Sequence, residues 1–180
     1  MDIIATLAIL GLAVAGTTAM ARTLGKLDAD HALNRLLNLP TDTLADTKHH
    51  TPYRAHDLDA GADLRADEST TIEPGERALV RAGVMVAIPA GMAGLVCPRS
   101  GLAHKHGVTV LNAPGVVDAG YTGEVKVNLI NLGSDPFHIH KGDRIAQLVQ
   151  VPVNRGEYRS VIALDATERG ASGHGSTGRA

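Results

Sequence analysis

Beyond residue 50 the apolar residues fall in short β-branched runs broken by glycine and proline, and no stretch keeps a 3.6-residue apolar stripe for ten residues. The runs 79–88, 94–97, 108–111, 124–132, 137–140, 145–153 and 158–164 are read as strands. Strands this short, separated by turns and without crossover helices, predict an all-β fold, a compact antiparallel sandwich or jelly-roll-like barrel. Any ligand would then be held by loops. Within 124–130 the alternation is clear: Val125, Val127 and Leu129 share one face, whereas Glu124, Lys126 and Asn128 share the other. The first face is core and the second is free for chemistry.

The first fifty residues follow a different pattern. From Ile3 to Ala21 runs an uncharged stretch rich in Ala, Leu and Ile, followed by Arg22 and Lys26. Its length is that of a short membrane-spanning helix. Ala19-Met20-Ala21 resembles a cleavage site, yet Asp2 stands where a secretory signal carries basic residues, so export is the weaker reading. Basic residues on the downstream side would leave the remainder cytoplasmic, anchored through residues 3–21. The alternatives are a packed apolar helix and a true start at Met20. Leu24, Leu27, Leu33, Leu36 and Leu37 then suggest a short amphipathic helix ended by Pro40. A polar linker over 41–51 has room for a first edge strand. The expected division is an apolar helical extension and linker over 1–50, a β-domain over 51–164 and a glycine-rich arm over 165–180.

Composition narrows the function. The 180 residues suit one domain plus an appendage, and 44% apolar residues suffice for a core. A formal net charge of -2 and only 2% aromatics argue against a nucleic-acid partner, because neither backbone grip nor base stacking is supplied. Phosphate chemistry, if present, must be local. The single cysteine, Cys97, excludes an intrachain disulfide and reads as a small buried hydrophobe.

Five segments carry candidate chemistry. Asp63 follows a glycine turn at the start of an expected strand. Arg99-Ser100-Gly101 combines a planar cation, a hydroxyl and a glycine N–H that an anion can approach. Segment 112–124 sets the Asn112 amide, exposed backbone at Val116 and Val117, the Asp118 carboxylate and the Tyr121 ring at fixed offsets across a hairpin, as a heterocycle-plus-sugar pocket requires. Gln147 follows the turn Gly142-Asp143-Arg144. Arg169 to Gly178 is a glycine-heavy tail shaped like an anion nest, lacking the Lys of a phosphate-binding Walker loop. Each segment alone is commonplace.

In this order the five resemble the motifs of the trimeric deoxyuridine triphosphate nucleotidohydrolases, the dUTPases, over residues 52–178. The resemblance implies the β-clip, jelly-roll-like dUTPase fold, a homotrimer with shared active sites, and Mg²⁺-dependent hydrolysis of dUTP to dUMP and pyrophosphate. Such an enzyme, a dUTP diphosphatase, keeps uracil out of DNA and supplies dUMP for thymidylate synthesis. Asp118 then matches the carboxylate that activates water for attack on the α-phosphorus, a role that suits an ionised base within reach of one water. Tyr121 matches the ring that packs on deoxyribose and excludes a 2′-hydroxyl. Asn112, Val116 and Val117 match the uracil-reading hairpin. Arg99, Ser100 and Gly101 match the phosphate segment, Gln147 a phosphate or water contact, and Lys126 a nucleotide contact. In the arm, Arg169, Gly175, Ser176 and Thr177 match the lid over the γ-phosphate. His174 stands where most relatives stack phenylalanine on uracil. Asp63 would hold a water on Mg²⁺, itself bound mainly by the triphosphate.

Two other readings compete with this one. The deoxycytidine triphosphate deaminases share the fold but read Arg-Ser-Ser where this chain has Arg99-Ser100-Gly101, and their catalytic glutamate falls at Asn128, which cannot shuttle a proton. A dUTP-binding regulatory or membrane-tethered module would need no turnover, yet every matched catalytic position is filled. The pairs His104/His106 and His138/His140 place imidazoles on common faces, but neither has the Cys or carboxylate that would complete a zinc site.

Overall fold

A computed structural model describes residues 40–45 and 50–173. The extension 1–39, with the apolar stretch and the leucine helix expected there, lies outside the described residues, as do 46–49 and 174–180.

Ten strands and one short helix are described: β1 Asp42–Ala45, β2 Gly61–Arg65, β3 Thr70–Ile72, β4 Arg77–Ala87, β5 Met92–Cys97, α1 Ser100–His106, β6 Val108–Val110, β7 Gly115–Asp118, β8 Glu124–Asn131, β9 Phe137–Ile139 and β10 Arg144–Pro152. They form two four-stranded sheets, in order β1-β4-β8-β6 and β2-β10-β5-β7, with β3 and β9 as a separate pair. Every pairing is antiparallel. This is the predicted all-β, jelly-roll-like class.

The core lies between the sheets. Val125, Val127 and Leu129 of β8 are buried against Val80, Val84 and Val86 of β4 and against Leu64, Val96 and Leu148 from the opposite sheet. Across the pleat, Lys126 is exposed and Glu124 and Asn128 are intermediate, so the alternation settles the face of β8. In β4 the pattern breaks: Ala82, Gly83 and Val84 are buried consecutively, because the register with β8 slips between Arg81 and Met85. That bulge carries Gly83 at φ +62°.

Three departures from the predicted elements have physical causes. The run 158–164 is not a strand: every residue of 152–173 is exposed, including Tyr158, Ile162 and Leu164, since no free sheet edge of the same chain receives the segment. Helix α1, which is absent from the elements expected from sequence, buries none of its residues and so leaves no apolar stripe. Segment 112–124 is no simple hairpin. β6 and β8 do pair, but between them the chain crosses to the other sheet, where β7 pairs with β5.

Among the described residues one polar residue, Asn131, is completely buried. Asn131 donates to the carbonyls of Ile72 and Asp135, both at 2.8 Å, and accepts from the Gly133 N–H at 2.9 Å. It pins the β8–β9 turn where Gly107, the left-handed cap of α1, passes so close that a Cβ would fall 2.7 Å from the Gly133 nitrogen.

Candidate active site

Most of the predicted side chains among the described residues gather in two groups, one at each end of β5. The register of β10 sets Gln147 opposite both Asp63 on β2 and Cys97 on β5, so these strands bring Asp63 and Gln147 beside Arg99. Asp63 is 6% exposed, and a carboxylate this buried needs compensation. Arg99 supplies one contact, Nε to Oδ1 at 3.0 Å, and Arg144 the other, Nη1 to Oδ2 at 3.1 Å. Arg99 also donates to the Arg144 carbonyl at 3.4 Å. Two guanidiniums on one carboxylate leave a net positive end, suited to an anion. Ser100 and Gly101, both exposed, open α1; the first helical bonds run from the Leu102 and Ala103 N–H groups to the Arg99 carbonyl, leaving the Ser100 and Gly101 N–H groups without intrahelical partners.

Arg144 is a residue that sequence reasoning missed. On a regular strand, positions 144 and 147 face opposite ways. A register shift between Arg144 and Ala146 turns them to one side, and its trace in the burial pattern is the consecutive pair Ile145 and Ala146 in the core. Without the partner strand nothing in the sequence marks that slip. Cys97, expected to be buried, is only half-buried.

The second group lies at the opposite end. Val116, Val117, Asp118, Tyr121, Glu124, Val125 and Lys126 line a hollow of about 210 Å³. Asp118 and Lys126 are exposed at its rim, and the Tyr121 hydroxyl donates to the Glu124 carbonyl at 2.8 Å. Asn112 is exposed but is not among the lining residues. A larger hollow of about 510 Å³ near Arg54, Asp57 and Gln150 includes none of the predicted residues.

The two groups do not meet within one chain. Asp118 stands opposite Ala93 at the start of β5, and Arg99 lies six residues further along. At about 3.3 Å per residue that is about 20 Å. The 210 Å³ hollow is also small beside the ~300 Å³ at which ordinary ligand pockets begin, and one side of it is open. Of the arm, Arg169 donates to the Ser172 carbonyl at 3.1 Å in an exposed turn, whereas His174, Gly175, Ser176 and Thr177 lie outside the described residues.

The donor set bears on magnesium. Among the described residues no three His, Cys, Asp or Glu side chains are grouped to cage a metal. His138 instead lies 2.9 Å from Thr71 Oγ1, and the His106 ring packs 5.2 Å from Phe137. Asp63 keeps a second lone pair on each oxygen beside its two arginine contacts, enough to accept from a metal-bound water. That fits Mg²⁺ carried mainly by a polyphosphate, which needs few protein carboxylates. Among the described residues no helix is long and apolar enough to cross a membrane, and the stretch 3–21 was not among them.

The fold is an all-β sandwich with an arginine-rich end suited to an anion and a separate carboxylate–tyrosine hollow. Comparison makes this specific. The dUTPase family matches residues 47–178, and the chain belongs to that family. It is 54% identical over 128 residues to the deoxyuridine 5'-triphosphate nucleotidohydrolase of Leifsonia xyli, covering 71% of this chain and 84% of that protein. To the enzyme of the same name from Mycobacterium tuberculosis it is 53% identical over 133 residues, covering 71% and 86%. Among solved structures it resembles a Staphylococcus bacteriophage 80alpha dUTPase variant with dUpNHpp, with TM-score 0.70, 31% identity and coverage of 78% of this chain and 99% of that one. A dUTPase variant from phage phi11 of S. aureus, described with a structural Mg(II) ion, gives TM-score 0.65 at 27% identity, covering 71% and 100%. The first 46 residues lie outside the family match.

Proposed function

We propose that this chain is a dUTP diphosphatase whose sites are completed between copies of a homotrimer. Hydrolysis of dUTP follows from its family: the relatives it covers over 84% and 86% of their length are deoxyuridine 5'-triphosphate nucleotidohydrolases. The observation that carries the shared-site reading is the separation of about 20 Å between Asp118 and Arg99 along β5. A base and a phosphate-binding cation for one reaction must lie within a few ångströms of the same phosphorus. They therefore come from different copies. The exposed apolar side chains of the tail, Tyr158, Val161, Ile162 and Leu164, support the same reading, because such a run is costly in water and suits a neighbour's surface.

In the reaction, Asp118 accepts a proton from a water whose oxygen forms the new bond to the α-phosphorus. The bond from that phosphorus to the α,β-bridging oxygen breaks, and its electron pair leaves with pyrophosphate. Arg99 and Arg144, held by Asp63, face the charge that develops there, and the Ser100 hydroxyl donates to the bridging oxygen. Gln147, beside them in register, orients a phosphate oxygen or the water. Tyr121 packs on the deoxyribose within the hollow lined by Val116, Val117 and Lys126. Asn112 and the β7 backbone read uracil, and Arg169 with the 174–177 segment closes over the γ-phosphate. Mg²⁺, when bound, neutralises triphosphate charge, and Asp63 would hold one of its waters.

The test is product analysis with dUTP, dCTP, UTP and dTTP in isotopically labelled water with Mg²⁺. Label in dUMP, with unlabelled pyrophosphate, is expected from dUTP alone. Label in pyrophosphate would overturn attack at the α-phosphorus, and ammonia from dCTP would favour the deaminase reading that Asn128 opposes.

A further inference from the structure

Glu124 is the one lining residue of the Tyr121 hollow with no role above, and it is also the most constrained. Its carboxylate is tied to the bulge of β4: Oε1 accepts from Arg81 Nε and from the Gly83 N–H, both at 3.1 Å, and Oε2 accepts from Arg81 Nε at 3.0 Å. Its own backbone carbonyl accepts the Tyr121 hydroxyl at 2.8 Å. One residue thus joins the aromatic ring to a neighbouring strand.

Arg81 is fixed from several sides. Its backbone N–H donates to Glu68 Oε1 at 3.2 Å, its carbonyl accepts the Asp67 N–H at 2.9 Å, and its Nη2 lies 3.6 Å from Asp67 Oδ2. Asp67, 8% exposed, meets Lys141 Nζ at 2.8 Å and His50 Nε2 at 3.4 Å. The bulge is therefore a rigid anchor, and Glu124 is its arm toward the pocket. The ring's position is equally narrow, for a Cβ on Gly123 would lie 2.6 Å from the Tyr121 oxygen.

We propose that Glu124, clasped by Arg81, is a positioning residue for sugar selectivity: it holds the carbonyl that anchors Tyr121, and through it the ring that excludes a 2′-hydroxyl. The inference rests on the reading of Tyr121 as the sugar gate. Among the described residues the Tyr121 hydroxyl has one hydrogen-bond partner, that carbonyl, while the Tyr121 N–H donates to the Asp118 carbonyl at 3.0 Å. Losing the Glu124 carboxylate frees the Arg81 side chain and the Gly83 N–H, the start of β8 gains freedom, and the anchor of the Tyr121 hydroxyl moves with it.

The experiment measures kcat/KM for dUTP and for UTP on Glu124→Ala, Glu124→Gln, Arg81→Gln, Tyr121→Phe, Tyr121→Ala and the double variant Tyr121→Phe/Glu124→Ala. The ratio of the two constants is the readout, because partial unfolding scales both substrates alike. Glu124→Ala is expected to lower dUTP-over-UTP selectivity about tenfold, within the range for coupled neighbours. Glu124→Gln, which keeps an acceptor for Arg81, should recover most of it. Arg81→Gln should act in the same direction without touching the pocket, which keeps the test open should Glu124→Ala fail to fold. Adding Glu124→Ala to Tyr121→Phe should cost nothing further, since the hydroxyl link is already gone. Unchanged selectivity in Glu124→Ala and Arg81→Gln while Tyr121→Ala loses it, or additive losses in the double variant, would overturn the clasp. If Tyr121→Ala itself keeps full selectivity, the sugar-gate reading fails first.

Discussion

Replacing Asp63 by alanine removes the carboxylate that both Arg99 and Arg144 hold, at 3.0 and 3.1 Å. Breaking a buried ion pair by deleting one partner costs about 3–5 kcal/mol, mostly through the charge left behind. Here Asp63 is 6% exposed, but the side chains of Arg99 and Arg144 are 23% and 45% exposed and can rehydrate, so the lower end applies. About 3 kcal/mol is expected for Asp63→Ala. Asn keeps an acceptor for one arginine, and about half that is expected for Asp63→Asn. For a chain of this size 1 kcal/mol moves Tm by about 3 °C, so the shifts should be about 9 °C and 4–5 °C. Melting must be followed at one protein concentration, because oligomerisation couples Tm to it. Catalysis should respond too: an unmoored Arg99 no longer points at phosphate, and kcat/KM for dUTP should fall at least tenfold in Asp63→Asn. An Asp63→Ala protein that melts within about 2 °C of the parent and turns over dUTP normally would refute the view that this carboxylate organises the anion end.

Asp118→Asn should still bind dUTP with Mg²⁺ while kcat falls at least about a hundredfold, the scale of a lost general base; rapid-quench product analysis checks it. Asn131→Leu leaves the Gly133 N–H and the Ile72 and Asp135 carbonyls without their partner and should cost about 3 kcal/mol by urea unfolding, whereas activity per folded molecule stays near normal. The Lys141 ammonium chiefly, working against desolvation and helped by His50 and Arg81, holds the Asp67 carboxyl below its ordinary 3.8. A depressed carboxylate stabilises the fold above its unfolded pKa and loses that contribution as pH falls through the folded value. The stability gap between the parent and Asp67→Asn should therefore be present above about pH 5 and close as pH falls below about 3.8, as read from urea midpoints.

How far the sequence could be read depended on whether a feature is local. The face of β8 was legible because alternation needs no partner: Val125, Val127 and Leu129 are buried as their spacing requires. The expected edge strand within 41–51 is β1, paired with β4. Helix α1 was illegible because six of its seven residues are exposed and Leu102 alone is partly buried, which makes no stripe. Arg144 and Glu124 were missed for another reason: each acts through a register slip, in β10 and in β4, and slips belong to pairs of strands. The run 158–164 misled because a short apolar, β-branched run signals a strand only where an edge receives it. The motif residues Asp63, Arg99, Asp118 and Tyr121 were found by resemblance, but their division between two ends of β5 could only come from the fold.

That division is tested most directly by subunit mixing. Chains carrying Asp118→Asn and chains carrying Arg99→Ala, each inactive alone, are unfolded, combined in equal amounts and refolded together, and dUTP hydrolysis is measured. If each site draws Asp118 and Arg99 from different copies, random assembly gives one site in four both intact residues, and activity should return to about a quarter of the parent. If both residues serve from the same chain, every site in the mixture stays defective. A mixture no more active than its components would contradict the shared site.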